Sequence, residues 1–276
     1  MKRMVSVIVP CYNQEHYIVD ALNSVLNQTY ENWECIVVND GSSDCSETRI
    51  EEFCHKDIRF RYFYQENKGV ASARNFAIQQ AVGELILPLD GDDMISSDYI
   101  EKAVAVFAAD TSVTLVYCNA ELFGEERGKW ELPPYDYQRM FFEGQIFCSA
   151  FYKKEDFIKT SGYNPNMVYG WEDWDFLLDL LNENSVVVKL DCIGFFYRRQ
   201  NGSRDKSYTQ KQADFLYKQV FLNHQDKYLK LINPVQDHIN MRRYKNGVQK
   251  YKLLFNVMLA VSVSLLITCL FVFTYL

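Results

Sequence analysis

The stretch GELILPLDGDD, residues 83–93, carries an apolar run into Asp90, Asp92 and Asp93. Three carboxylates at the end of a buried strand repel one another, and they cannot all stay ionised there without a counter-charge. A hard divalent cation, Mg²⁺ or Mn²⁺, is the evident candidate, because such ions are held by one or two carboxylates together with substrate phosphates. A solvated acidic loop leading into a helix N-terminus accounts for the same residues without a metal. An EF-hand calcium loop does not fit. Counted from Asp90, it needs an oxygen ligand fifth and Gly sixth, where Met94 and Ile95 stand. A dinucleotide-binding loop does not fit either, since the first apolar run is followed by PCYNQE rather than Gly-x-Gly-x-x-Gly. Two further acidic positions stand out. Asp40 closes the run WECIVVND, and Glu172-Asp173 opens an amphipathic pattern in GWEDWDFLLDL. Carboxylates in a first helical turn complement the dipole and need no further reason. Trp171 and Trp174 beside them suit a core or an exposed stacking surface equally.

The elements that must position these groups follow from periodicity. Val5–Val9 is a short β-branched run ended by Pro10, and Ile18, Ala21, Leu22, Val25 and Leu26 share one helical face. Trp33–Val38 and Arg59–Tyr64 predict strands, with a polar helix over Ser46–Cys54 between them. Val70–Val82 predicts a helix that Gly83 stops. Leu85–Leu89 is the next strand, followed by a helix from about Ser97 to Ala108 with a capping box of Asp98 and Glu101. Val113–Tyr117 and Val186–Leu190 are further strands, and helices are expected over Lys153–Thr160 and Glu172–Glu183. Residues 211–232 have weak helical periodicity. Alternating strands and helices joined by short connections predict an α/β domain built of βαβ units around a mainly parallel sheet. In such sheets ligands sit beyond the carboxyl ends of the strands, where Asp40 and Asp90 fall.

The 276 residues, 48% hydrophobic, allow one large core or two small domains. A net charge of -7 argues against nucleic acid as the main partner. That charge is divided: residues 1–205 sum to -14 and residues 206–252 to +7, and nothing beyond is charged. The charge-free run from Leu253 to Leu276 would reach about 36 Å as a helix, enough for a hydrocarbon core of about 30 Å. Arg242, Arg243, Lys245, Lys250 and Lys252 precede it, and basic flanks stay on the cytoplasmic side. The expected arrangement is therefore a cytoplasmic body over 1–205, a basic helical connector over 206–252 and a single-pass anchor over 253–276 in the inner membrane. Eight cysteines without a Cys-x-x-Cys pair suggest reduced structural thiols.

Taken together, VSVIVPCYNQEHYIVDALNSVLNQTY, CIVVNDGSSD, QENKGVASARNFAI, GELILPLDGDD and GWEDWDFLLDL resemble the glycosyltransferases of family 2, over about residues 4–200. These are inverting enzymes of GT-A fold, and the chain resembles a tail-anchored member of bacterial type. The resemblance implies a UDP-sugar donor, Mn²⁺ or Mg²⁺, and transfer to a hydroxyl of a saccharide or lipid-linked saccharide at a membrane. Pro10, Tyr12 and Asn13 match the loop that frames the uridine. Asp40 matches the aspartate that accepts from the uracil ring, with Asn39 where another aspartate is usual. Lys68 and Arg74 fall where contacts to the nucleotide lie. Asp90-Gly91-Asp92 matches the Asp-x-Asp motif, which implies Asp90 on ribose or sugar hydroxyls, Asp92 on the metal and Asp93 nearby. Many relatives carry a histidine ligand after a late Tyr-Arg. Here that stretch is Tyr197-Arg198-Arg199-Gln200, and the histidines lie at 16, 55, 224 and 238. Arg198 or Arg199 is expected at the diphosphate. In the Glu-Asp motif, Asp173 matches the catalytic base, while Glu172 and Trp171 are expected to contact acceptor or sugar. Two other readings use the same carboxylates. One is a metal-dependent nucleotidyl or phosphoryl transferase, which would want a Gly/Lys-rich phosphate loop that the chain lacks. The other is a catalytically silent, membrane-anchored scaffold that binds a nucleotide sugar.

Overall fold

The computed structural model describes residues 3–200 and 208–231, with 242, 243, 245, 246 and 249. It separates into two compact units, Met1–His224 and Gln225–Leu276. The first unit opens with β1 (Val5–Cys11), α1 (Ile18–Leu26), β2 (Trp33–Asp40), α2 (Ser46–Lys56), β3 (Phe60–Gln65), α3 (Val70–Gln80) and β4 (Leu85–Pro88). It continues with β5 (Met94–Ile95), α4 (Tyr99–Ala109), β6 (Val113–Gly124), β7 (Gly128–Trp130), β8 (Phe151–Lys153) and α5 (Lys154–Phe157). Helix α6 (Glu172–Leu180), β9 (Val186–Arg199) and α7 (Gln210–Asn223) complete it. Helix α8 (Gln225–Leu231) belongs to the second unit.

The sheet runs β3-β2-β1-β4-β8-β6-β9-β5, with β7 paired to β6. Strands β3, β2, β1 and β4 are parallel. Strand β8 is antiparallel to both β4 and β6, and β5 to β9, while β6 and β9 are parallel. The sheet is thus mixed rather than mainly parallel. Strands β5 and β8 have two and three residues, too few to show a period, and they supply the reversals.

Continuous apolar strands belong inside such a sheet, since helices cover both faces. Val5, Val7, Ile8 and Val9 are fully buried, as are Ile18, Ala21, Leu22 and Val25 on the inner stripe of α1. Strand β1 does not end at Pro10: Pro10 pairs with Val38 and Cys11 with Asn39. Pairing of β1 with β4 stops at Ile8, so the proline ring lies where β1 has become an edge on that side and its missing N–H is tolerated.

Several local expectations are corrected. Helix α3 ends at Gln80 with Ala81 extended, so Gly83 is not its stop. A Cβ at Gly83 would lie 2.6 Å from Ser6 Oγ and 2.7 Å from Ser6 N, which makes it a site of close approach to β1. The capping box at Asp98 does not form. Asp98 instead accepts from Ser96 Oγ and pairs with Lys102, and Glu101 accepts from Thr29 Oγ1. A capping box is found at α7, between Thr209 and Gln212. Strand β9 continues to Arg199, well past Leu190, and so carries residues 197–200 back toward the tip of β4. No described helix is long and apolar enough to cross a membrane. The run expected to do so, 253–276, lies outside the described residues.

Candidate active site

The parallel strands deliver Asp40 and Asp90 to one end of the sheet. Asp40 ends β2 and is buried. Its Oδ1 accepts from Gln65 Nε2 at 2.6 Å and from the Lys68 amide at 2.9 Å, and its Oδ2 from the Gly69 amide at 2.9 Å. These fixed donors aim the carboxylate and leave Oδ2 a lone pair for a further donor. Asn39 is a turn residue: its Oδ1 accepts from Ser42 N and its Nδ2 donates to Tyr62. Asn13, at φ +52°, latches the loop after β1 to the loop after β2, donating its N–H to Ser42 Oγ and accepting from Ser43 N.

Beyond β4 the chain turns through a bond from Asp93 N to Asp90 O. Asp90 Oδ1 accepts from Arg74 at 2.5 Å, and Oδ2 lies 3.5 Å from Cys148 Sγ. Asp92 is half-buried; its Oδ2 accepts from Gln200 Nε2 at 3.0 Å and its main-chain oxygen from Arg198 Nε at 2.7 Å. Asp93 is 1% exposed. Its Oδ1 accepts from Arg198 N, and its Oδ2 has no partner among the described residues. Burial first, then the Asp92 and Asp90 charges, hold the Asp93 carboxyl well above the usual range, against the pull of Arg198. A Cβ at Gly91 would displace the flexible Gln14 amide and lie 3.1 Å from Ile18 Cδ1, so the turn packs closely on the start of α1.

Arg74 joins the two halves of the site. It is 1% exposed, and its second nitrogen donates to Glu172 Oε1 at 2.7 Å while the first holds Asp90. Burial opposes its charge, but the Asp90 and Glu172 carboxylates overcome this and raise its pKa. Glu172 and Asp173 open α6, preceded by Trp171 at φ +61°, a left-handed conformation uncommon for a bulky residue. Asp173 Oδ1 accepts from Trp174 N at 2.8 Å. Burial, then the adjacent Glu172 charge, raise the Asp173 carboxyl to about 6, with Arg74 pulling the other way. Trp174 Nε1 donates to Met140 O, fixing its ring in the core. Trp171 faces Tyr217 of α7 edge-on with centroids 4.8 Å apart, and Tyr208 at 6.1 Å.

A cavity of about 750 Å³ unites these parts. Pro10, Tyr12, Asp40, Asp90, Asp92, Trp171, Glu172, Asp173 and Arg198 all contribute to its wall. The wall also includes residues that the motifs did not indicate, among them Gln14, Trp130, Cys148, Tyr208 and Tyr217. A model of the family described as glycosyl transferase family 2 matches residues 6–162. The chain belongs to glycosyl transferase family 2. Among relatives, EpsH of Bacillus subtilis (strain 168) is 39% identical over 152 residues, covering 51% of this chain and 44% of that one. Glycosyltransferase GlyA of Streptococcus pneumoniae is 40% identical over 127 residues, 45% of this chain and 18% of its own. An uncharacterized glycosyltransferase of Haemophilus influenzae is 32% identical over 185 residues, 65% of this chain and 72% of its own. The chain therefore spans less than half the length of the first two. Solved structures show the same fold. TarS of S. aureus (residues 1–349) with UDP-GlcNAc superposes with TM-score 0.63 at 22% identity, covering 80% of this chain and 66% of that one. The mannosyltransferase PcManGT of Pyrobaculum calidifontis with GDP-Man and Mn²⁺ gives 0.61 at 19%, covering 83% and 65%.

The family 2 match ends before α6, so the geometry alone locates Asp173 and its neighbours. Not every expected contact lies in the cavity wall. Lys68 is exposed and engages Asp40 through its backbone. Arg74 and Gly91 are buried behind the wall, and Asn13 braces the loops. Arg198 does line the cavity but pairs with Asp20 at 2.6 Å between the rings of Tyr17 and Phe123, whereas Arg199 reaches Glu126 outside the wall. No histidine closely follows Tyr197-Arg198, and Gln200 sets its amide on Asp92.

Among the described residues, no group of three or more His, Cys, Asp or Glu side chains is arranged to hold a metal. Asp92 and Asp90 Oδ2 nevertheless put two carboxylates at the cavity, beside a third whose Oδ2 is orphaned. That oxygen-only set fits Mg²⁺ or Mn²⁺ whose remaining ligands are phosphates and water.

Proposed function

We propose that the chain is an inverting, metal-dependent glycosyltransferase that moves a sugar from a UDP-sugar to a hydroxyl of a saccharide or lipid-linked saccharide. The observation that carries this reading is the Arg74 fork. One guanidinium holds Asp90 of the strand-end carboxylates and Glu172 of the α6 turn, so both carboxylate groups wall one cavity in fixed relation. The UDP and UDP-GlcNAc complexes of TarS support a uridine donor. Uracil would lie by Pro10 and Tyr12 with its ring N–H on the open lone pair of Asp40 Oδ2. Asp90 would meet ribose or sugar hydroxyls. Asp92 would hold the cation, with Asp90 Oδ2 beside it; when bound, the ion neutralises charge on the departing diphosphate. Asp173, ionised above about pH 6, takes the proton of the attacking hydroxyl. Trp171, Tyr208 and Tyr217 give the acceptor end an aromatic surface suited to a sugar face. The basic residues 242–252 and the charge-free run 253–276 support placement on the cytoplasmic side of the inner membrane.

A thermal-stability titration with UDP and Mn²⁺ tests the donor site. UDP at a hundred times its Kd stabilises a protein by about 2.7 kcal/mol. With Asp92→Asn the Mn²⁺-dependent part of that gain is expected to vanish, leaving the UDP-only value. No gain with UDP in the native chain, or equal gains with and without Mn²⁺, contradicts the assignment.

A further inference from the structure

Helix α6 carries Asp173 in its first turn, and another carboxylate of that turn takes no part in the cavity. Asp175 is 3% exposed. Its Oδ1 accepts from Asn223 Nδ2 at 2.8 Å and meets His224 Nε2 at 3.0 Å. Both partners close α7, Asn223 as its last residue and His224 as its C-cap. Asn223 Nδ2 also reaches Met167 Sδ at 3.8 Å, in the loop leading to Trp171. Farther up α7, Tyr217 lies edge-on to Trp171, and Phe215 lies edge-on to Tyr169 at 5.5 Å. Helix α7 thus grips the loop and the helix that present Asp173, with aromatic contacts at one end and a polar triad at the other.

The gripped segment needs outside support. Gly170 and Trp171 have φ of +129° and +61°, and a bulky residue in that region persists only where its surroundings hold it. The N-cap residue Trp171 gives the turn no side-chain hydrogen bond, and Asp173 bonds a first-turn amide only from within. An apolar residue at 175 would fill the same space without the cost of desolvating a carboxylate. What two donors on one carboxylate add is direction, because they fix the rotation of the turn.

We propose that Asp175, Asn223 and His224 are positioning residues that lock the first turn of α6 in the rotation presenting Asp173 to the cavity. This rests on Asp173 being the base of the proposed reaction. None of the three lines the cavity; they act through the helix. A misplacement of about 1 Å at a reacting group is enough to cost about 10²-fold in rate.

The test uses the full chain carrying Asn223→Ala or His224→Ala, with His224→Gln as the conservative variant whose amide can still donate to Asp175. One readout is backbone hydrogen exchange. The other is UDP release from whichever of UDP-Glc, UDP-Gal, UDP-GlcNAc and UDP-GalNAc the native chain hydrolyses fastest. The amides of Asp175 to Leu178 are expected to exchange at least about tenfold faster in the alanine variants, while β1 and β2 keep native protection. Over the same variants kcat falls about 10- to 100-fold with the donor KM unchanged, and His224→Gln restores both. Native exchange in α6 overturns the lock. So does lost protection throughout β1 and β2, which would make the triad a general stability element, and so does faster α6 exchange with kcat intact. Asp173→Asn in parallel separates the two readings. If that variant turns over normally, the base assignment fails, while the exchange pattern still reports on the lock.

Discussion

Asp173→Asn is expected to slow UDP-sugar turnover about 10²- to 10⁴-fold while leaving UDP affinity at its native value. The two carboxamide atoms occupy the space of the carboxylate, and the amide oxygen can keep the bond from Trp174 N now made by Asp173 Oδ1. Packing at the α6 turn is therefore preserved. What is lost is the ability to take a proton. A sugar hydroxyl is a weak nucleophile near neutrality, so a one-step displacement leans on a group that removes its proton as the new bond forms. Asp173 suits this work because burial and the Glu172 charge bring it to about 6, close to neutral pH, where a base is strong enough yet still ionised. The end of the cavity proposed for uridine is built from β1, β2 and the turn after β4, away from the substituted atom. Calorimetry with UDP and a UDP-release assay on one preparation check both halves of the expectation. Native turnover would remove the base; lost UDP binding would mean that Asp173 supports the donor instead.

Arg74→Met should have the largest effect on stability, about 3–5 kcal/mol. The substitution keeps an unbranched apolar stem in a site with 1% exposure but leaves Glu172 and Asp90 without their shared cation. Removing one member of a buried ionic set costs far more than the set contributes, because the charge left behind, here chiefly that of Glu172, stays desolvated. Against a total stability of about 5–15 kcal/mol, that loss is a large share. Arg74→Lys is not a conservative alternative. An ammonium offers a point charge rather than the planar fork that reaches two carboxylates at once. Urea denaturation of the native and variant chains measures the difference. A loss under about 1 kcal/mol would show that the fork is not what ties the strand ends to α6.

Much of this was legible in the residues because each signal was local. Short β-branched apolar runs such as Val5–Val9 and Trp33–Val38 suit buried strands, and a carboxylate such as Asp40 that closes one falls at the strand tip. Signals that depend on distant neighbours were not legible. Gly83 resembles a helix stop, but its reason is Ser6 on β1. Arg74 resembles a surface or nucleotide-binding residue of α3, and only the fold brings Glu172, 98 positions away, onto its other nitrogen. Strand β8 has three residues and no period, so the reversal that makes the sheet mixed left no trace in the sequence. Helix α7 has a weak pattern because it shows the body little more than Leu216 and Val220. Its contribution comes through Tyr217, Asn223 and His224, residues whose types alone indicate nothing. Thr209 with Gln212 is a capping-box pair visible in the sequence, and it marks the start of α7.

The pH dependence of kcat/KM for UDP release is the most direct measure of whether the cavity houses a base at Asp173. Since the carboxylate is the working form and its pKa is raised to about 6, the rate should rise about tenfold per pH unit below that value and level off above it. The residual activity of Asp173→Asn should show no such limb. A flat native profile between about pH 5 and 7, or the same limb surviving in Asp173→Asn, would contradict the assignment.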